Sequence, residues 1–304
     1  TQRSFSQEEL LSKWGGVVPE IAARNHLAKL VPLLKQTLSS VDMDMGEIDA
    51  IGVTTQPGLL GPLLTGLNTA KTLSLIFEKP IIPVNHLFAH LEAIHLSRTT
   101  NYPYIGLLVS GGHTQVMEVE SLNEIKTVAK SMDDSFGESF DKVAKMMGLG
   151  YPGGPLIQEL AKDGDRLKHN FTVPLHQSPL IAFSYSGLKN AVRLAVEKTD
   201  EKEYKDIAAS FEHIATKHLT MKLKKYFKTK SPKNFAIVGG ASANLYLRSE
   251  IQKLLKPHKA TLLLSELKYC SDNAAMIGRV AVEMYEKKMF SSVDELSSSP
   301  RSQL

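Results

Sequence analysis

The 304-residue sequence predicts an α/β protein built as two lobes around a nucleotide cleft. Three observations predict it. Helical and strand patterns alternate along the chain, and two blocks of strands are each trailed by helices. Three predicted strands end in glycine-rich turns, where a backbone N–H can approach a phosphate with no Cβ in the way. The chain is 42% hydrophobic, enough for sizeable cores at this length.

Glu20–Ser39 is predicted as a helix, with Ile21, Leu27, Leu30, Val31 and Leu34 near helical spacing and Pro19 just before it. Ile48–Thr54 reads as a buried strand, followed by a turn at Gln56–Gly58 and a helix from Gly61 to Phe77. Ile81–Val84 is a short strand running into a helix that reaches Leu96. Tyr104–Val109 is a strand ending in S-G-G-H-T, and Val116–Val119 and Ile125–Val128 continue it as an antiparallel meander. Helices are expected to dominate from Phe136 to Phe227. Phe235–Val238 is a strand ending in G-G, with a helix from about Ser242. Thr261–Leu264 is the last strand, and Asp272–Glu286 a closing helix; Ser291–Ser302 reads as loop or frayed tail. The lobe boundary is placed near Asn101–Tyr104, and no internal repeat is evident.

Bulk properties narrow the classes. A net charge of +4 permits a nucleic-acid partner without demanding one. The single cysteine, Cys270, excludes an internal disulfide framework and suits a reducing compartment. No apolar run approaches the roughly 20 residues that span a bilayer. The opening T-Q-R-S-F-S reads neither as a signal peptide nor as an Arg-rich targeting segment, and it lacks an initiator Met.

The chemistry begins with His86 and His90 in N-H-L-F-A-H. Four residues apart on a helix, both imidazoles lie on one face and can grip one metal ion. Where the zinc-protease motif H-E-x-x-H carries its general base, this chain has Leu87, which cannot take a proton from water. The same spacing is more often structural, so the pair alone does not establish a metal. Asp272, in C-S-D-N at a helix start, is the candidate third ligand; a carboxylate there also suits the helix dipole. Asp141 and Glu138, in G-E-S-F-D-K, form a second acidic cluster. Asp141 can accept from ribose hydroxyls or pair with Lys142 or Lys145. The glycine turns are Gly58/Gly61, Gly111–Gly112 with Ser110 and Thr114, and Gly239–Gly240 with Ser242 and Asn244; Y-P-G-G-P at Tyr151–Pro155 opens another helix. His113 follows two glycines and can sit near a phosphate, whereas His26 and His95 read as surface or packing residues. No P-loop, G-x-S-x-G elbow or cysteine–histidine arrangement is present.

Nine segments in order resemble the TsaD family of tRNA threonylcarbamoyl transferases, bacterial type. They are G-G-V-V-P-E at 15–20, P-G-L-L-G at 57–61, P-V-N-H-L-F-A-H at 83–90, L-L-V-S-G-G-H-T at 107–114, F-G-E-S-F-D-K-V-A-K at 136–145, Y-P-G-G-P at 151–155, F-S-Y-S-G-L-K at 183–189, G-G-A-S-A-N at 239–244 and S-D-N-A-A-M at 271–276. The resemblance implies two actin-like (RNase H-like) lobes: 1–103, 104–280, and a closing stretch 281–304 that returns to the first lobe. It implies transfer of a threonylcarbamoyl group from threonylcarbamoyl-AMP to N6 of the adenosine 3′ of the tRNA anticodon. Carried onto this chain, His86, His90 and Asp272 would hold one divalent metal ion per subunit, iron or zinc. Leu108, Val109, Ser110, Gly111, Gly112, Asp141, Gly154 and Asn244 would bind the adenylate. A smaller TsaB-like paralogue and a TsaE-like ATPase are the implied partners, with no membrane, in the cytoplasm; the helix from Glu20 is the candidate partner surface. The chain departs from the family pattern in lacking an E-T-S-C-D-E-T-like opening segment, so the first strands of lobe one are expected to be missing. Gln56, Ser271 and Ala274 stand where glycine, threonine and glycine are usual. The competing readings are a metallopeptidase, an ATPase or sugar kinase of the same superfamily, and a non-catalytic scaffold.

Overall fold

In the computed structural model, residues 1–7, 18–98, 100–122 and 124–302 are described. Gly15–Val17 of the G-G-V-V-P-E segment lie outside them. The chain divides into two compact units, one of residues 1–99 with 272–304 and one of residues 100–271.

The first unit holds helix α1 (Pro19–Ser39), strand β1 (Ile51–Gln56), helix α2 (Leu60–Phe77), strand β2 (Ile81–Asn85) and helix α3 (His86–Glu92). Helix α9 (Ala274–Glu286) joins it from the far end of the chain. Among the described residues its sheet is the parallel pair β1–β2. β1 begins later than its apolar residues suggest. Asp44 and Glu47 form a reciprocal capping box that closes a 3₁₀ turn at Met45–Glu47, and the chain extends only after it. Val53, Leu67, Ala70 and Ile81 form a core together with Leu296 of the tail. That tail is irregular but not frayed: Ser291 pairs with Ile81, and the Ser299 N–H donates to Thr55 O at 2.9 Å. A Cβ at Gly52 would stand 2.6 Å from the Ala281 methyl, so glycine in β1 permits the close approach of α9. In the apolar stripe of α1, Leu27 and Val31 are exposed, Leu27 at 71%, while Ile21, Leu30 and Leu34 are half-buried.

The second unit holds strands β3 (Tyr104–Val109), β4 (Thr114–Ser121) and β5 (Glu124–Lys130), then helices α4 (Phe136–Met146), α5 (Gly153–Ala161), α6 (Ser186–Val196) and α7 (Tyr204–Tyr226). Strand β6 (Asn234–Val238), helix α8 (Leu245–Leu255) and strand β7 (Thr261–Leu264) complete it. The sheet order is β5-β4-β3-β6-β7, with an antiparallel meander on one side and the parallel run β3-β6-β7 on the other. β3 is buried along its whole length, as a central strand covered on both faces must be.

Helices dominate from Phe136 to Tyr226 as expected, but residues 162–185 between them contain no α-helix. Side chains of α7 satisfy this segment's backbone instead. Asp206 accepts from the Asp165 N–H at 2.7 Å, and Ser210 from the His169 N–H at 3.2 Å. Buried Lys222 donates to the carbonyls of Leu175, Ser178 and Leu180 at 2.9, 3.2 and 2.8 Å. A segment so anchored has no need of internal helical bonds.

Candidate functional site

The first cluster lies in the first unit. The Asn85 side chain caps α3 by accepting from the N–H groups of Leu87 and Phe88 at 2.9 and 3.2 Å. Capping starts the helix at His86, so His86 and His90 share a face one turn apart. Their rings meet edge-on with centroids 4.6 Å apart. Asp272 was expected to start the closing helix. In the structure Asn273 is the cap, its side chain accepting from the Met276 N–H at 2.9 Å. Asp272, one residue earlier, is thereby left to turn toward the histidines. Its Oδ1 lies 3.0 Å from His90 Nε2 and 3.5 Å from His86 Nε2.

These three ligand atoms lie within 4.8 Å of one another. Donors around a tetrahedral ion at bonds of about 2.1 Å stand roughly 3.4 Å apart, so the set fits a divalent metal with little adjustment. Two imidazoles and one carboxylate suit iron or zinc. His90 is 1% exposed and Asp272 77% exposed, so the group is fixed from beneath and open above. Leu87, where the protease motif carries its general base, is buried at 1% exposure.

The second cluster lies in the second unit and is set by strand register. β3 and β6 run parallel with Leu108 beside Val238, so the turns at Ser110–Gly112 and Gly239–Gly240 leave the same end of adjacent strands. Ligands gather at such carboxyl ends in open α/β sheets. Gly239 has φ +89, and a Cβ there would lie 2.4 Å from Val109 O, so this glycine is required by the fold. Gly111, Gly112, Gly154 and Gly240 differ. An added Cβ at any of them meets nothing within 4 Å. Their lack of a side chain leaves open space and serves no neighbour.

The first turn of α4 is closed to ligands by its own contacts. The Phe136 N–H donates to Thr114 Oγ1 at 2.7 Å, the Gly137 N–H to Ser110 O at 3.2 Å, and the Glu138 N–H to Ser135 Oγ at 3.0 Å. Asp141, one turn further, pairs with neither Lys142 nor Lys145. Lys142 is taken by Asp134 and Glu138 at 2.6 and 2.9 Å. Asp141 accepts instead from the Gly153 N–H at 2.7 Å and so ties α5 to α4. Burial pushes its carboxyl above the usual carboxylate range, with the charge of Glu138 adding to the rise and the Gly153 and Gly154 N–H groups opposing it.

Asn244 does not sit within a helix from Ser242, because Gly240–Ala243 is a 3₁₀ turn and Asn244 caps α8. Its Oδ1 accepts from the Leu247 N–H at 2.7 Å and its Nδ2 donates to Glu212 Oε1 at 2.9 Å. These two bonds fix which way the amide points. Gln158 of α5 accepts from the Leu245 N–H at 2.7 Å, joining the Gly154 helix to the same corner. Leu108 and Val109 are buried at the end of β3, Ser110–Gly112 form the turn after it, Asp141 lies in α4, Gly154 in the first turn of α5, and Asn244 caps α8.

Sequence reasoning missed Glu212. It is 1% exposed on α7, burial raises its carboxyl pKa, and Asn244 and Arg166 lower it in part. A glutamate between buried Phe211 and half-buried His213, in a helix otherwise rich in apolar residues, was the available signal. Asp133 was also missed. Its carboxylate binds Ser184, Tyr185 and Ser186 and closes the start of α6.

Two α/β units with glycine turns at strand ends define the actin-like class of fold. A full-length HypF solved in its phosphate- and nucleotide-bound form shares it at TM-score 0.59 and 14% identity, over 82% of this chain and 40% of that one. So does an activator of 2-hydroxyisocaproyl-CoA dehydratase from Clostridium difficile, with TM-score 0.51 and 11% identity over 86% of this chain and 84% of that one. The model of the TsaD family, tRNA N6-adenosine threonylcarbamoyltransferase, matches residues 1–279. A protein of that name from Sulfurimonas denitrificans is 63% identical over 99% of this chain and 91% of its own. One from Helicobacter pylori is 48% identical over 99% and 90%. The chain belongs to the TsaD family and is a transferase.

Proposed function

We propose that this protein transfers a threonylcarbamoyl group from threonylcarbamoyl-AMP to N6 of the adenosine 3′ of the anticodon in tRNA. The observation that carries the reading is the convergence of His86, His90 and Asp272 on one point in a chain of this family. His86, His90 and Asp272 would hold one divalent ion, iron or zinc, which when bound supplies Lewis-acid charge stabilisation or a clamp on the donor.

The remaining steps fall to the chain's own groups. The space left by the missing Cβ at Gly111, Gly112 and Gly240 would admit the adenylate phosphate, and the absence of a Cβ at Gly154 leaves room for its sugar beside Asp141. Asn244, oriented by Glu212 and by its helix cap, would offer its remaining N–H to the nucleotide. The transfer breaks the bond between the carbamate carbonyl and the AMP phosphate oxygen, forms the bond to N6, and releases AMP and one proton. Catalysis is then largely positioning of donor against amine. A TsaB-like paralogue and a TsaE-like ATPase are the proposed partners. The exposed Leu27 and Val31 of α1 support that helix as the surface they use. Cytoplasmic residence fits the lone, buried Cys270; no helix among the described residues is long and apolar enough to cross a membrane.

The peptidase alternative gains no support, since the position of its general base is a buried leucine. The test is tRNA modification with supplied threonylcarbamoyl-AMP, with and without His86→Ala. Modification by the wild type that is lost in the variant supports the reading; none by the full complement of proteins would sink it.

A further inference from the structure

The lysines of this chain are unevenly placed. Six of the twelve residues from 222 to 233 are lysine. Lys222 is buried in its carbonyl cage, and Lys230 is held by Glu118 and Glu120, each at 2.9 Å. The others, Lys224, Lys225, Lys228 and Lys233, have no ion pair among the described residues. Contacts at the amino ends of β6 and β7 bring two more beside them. The rings of Phe227 and His258 meet edge-on at 5.2 Å, Ser231 bonds the His258 ring at 2.9 Å, and the Thr261 N–H donates to Lys233 O at 2.9 Å. Lys256 and Lys259, flanking His258, thus lie next to Lys228 and Lys233. Both are exposed and likewise without an ion pair.

Six unneutralised lysines therefore share one end of the second unit. The chain's formal charge is +4, so without them it would stand at −2. The patch also lacks what a protein partner needs. Interface cores are enriched in aromatic, Met and Arg side chains and depleted in lysine. No exposed large apolar side chain falls between residues 195 and 244 or between 246 and 266 among the described residues. Lysines act as point charges suited to phosphates, whatever the base sequence.

We propose that this patch is a docking surface for the phosphate backbone of tRNA. It rests on the reading of tRNA as substrate and adds where the body of that substrate is held. The glycine turns leave the opposite end of β6. A five-residue strand places the two roughly 17 Å apart. A ligand touching both must be at least that long, which a folded tRNA is and a mononucleotide is not.

The experiment measures equilibrium binding of fluorescently labelled tRNA between 50 and 200 mM KCl, for wild type and for Lys228→Gln/Lys233→Gln/Lys256→Gln. Lys225 is left in place because its Nζ donates to Pro179 O. Each lost phosphate contact removes about 0.7–0.9 from the slope of log affinity against log salt, so the triple variant should lose about 2. Lys224→Gln/Lys259→Gln is an independent second variant, expected to lose about 1.5. Lys253→Gln, exposed but paired with Glu250, should leave slope and affinity unchanged. Affinity for threonylcarbamoyl-AMP, measured separately, should stay at the wild-type value in all variants. Its absence in the wild type would strike the adenylate site and leave the patch standing. Wild-type slope and affinity for tRNA in both patch variants would overturn the proposal, as would failure of the wild type to bind tRNA at 50 mM salt. Unchanged tRNA binding with loss of a protein partner would assign the patch to an acidic protein surface instead.

Discussion

Two alanine substitutions, Gly154→Ala and Gly239→Ala, are expected to act on stability with opposite signs. Gly154 lies in the first turn of α5 in helical conformation, and its Cβ would meet nothing within 4 Å. Glycine in a helix costs roughly 0.5–1 kcal/mol relative to alanine, and the first turn recovers part of that. Gly154→Ala should therefore raise the melting temperature by about 1–2 °C. Gly239 sits at φ +89 with Val109 O only 2.4 Å from an added Cβ. This extended, positive-φ backbone (ψ 163) is essentially reserved for glycine and costs an L-residue on the order of 1–3 kcal/mol, and the clash adds to it. Gly239→Ala should lower stability by at least about 2 kcal/mol. If the space at Gly154 belongs to the adenylate, Gly154→Ala should nonetheless lose about tenfold or more in adenylate affinity, about 1.4 kcal/mol. Thermal melts and calorimetric titration with threonylcarbamoyl-AMP on the same preparations read both effects. A Gly154→Ala protein that is more stable and binds the adenylate as tightly as wild type would refute the assignment of that turn.

Three further outcomes follow from other parts of the molecule. His218 accepts from the Ser184 N–H at 3.1 Å and is held neutral, its pKa pushed down to about 4 by burial and by the nearby charge of Lys222. The unfolded chain takes up this proton first, so the contribution is full above pH 6.5 and is lost as pH falls to 4. It amounts to about 3 kcal/mol, and His218→Gln should flatten the acid limb of urea melts by that amount; an unchanged limb would contradict it. Leu27→Ala, at a residue 71% exposed, should leave the melting temperature within about 1 °C and weaken association with the paralogous partner in co-purification; a large drop in stability would assign Leu27 to core packing instead. Asp272→Asn should lower metal content measured by mass spectrometry on protein purified without a metal column, while melting as wild type, because Asn273 and not Asp272 caps α9; retained metal would remove Asp272 from the ligand set.

Much of the architecture was legible from periodicity and punctuation. Alternating and fully apolar runs located six of the seven strands to within about two residues, and the glycine turns marked the strand ends where the site residues gather. The strand beginning at Ile51 was read too early, because Ile48 is apolar but follows a capping box whose partners are three residues apart. The irregular 162–185 segment was not set apart from the helices around it, because its backbone partners sit some 40 residues ahead in α7, beyond the reach of local pattern. The same distance hid Glu212, whose meaning depends on Asn244 folding back onto it. Asp272 was legible as a candidate, but whether it capped a helix or faced the histidines was decided only by Asn273 beside it. The tail looked like loose serine-rich chain. Leu296, a single buried side chain, anchors it to the first core.

The central claim is that the histidine pair serves group transfer to tRNA and not hydrolysis of peptides. The most direct measurement offers both substrates to one preparation of full-length protein with its partners. It receives tRNA with threonine, bicarbonate, ATP and the adenylate-forming enzyme, and in parallel a protein substrate. Threonylcarbamoylated adenosine should form in the wild type and fall to a small residue in His86→Ala, with no proteolysis in either. Proteolysis that vanishes in His86→Ala, with tRNA left unmodified by the wild type, would contradict the account.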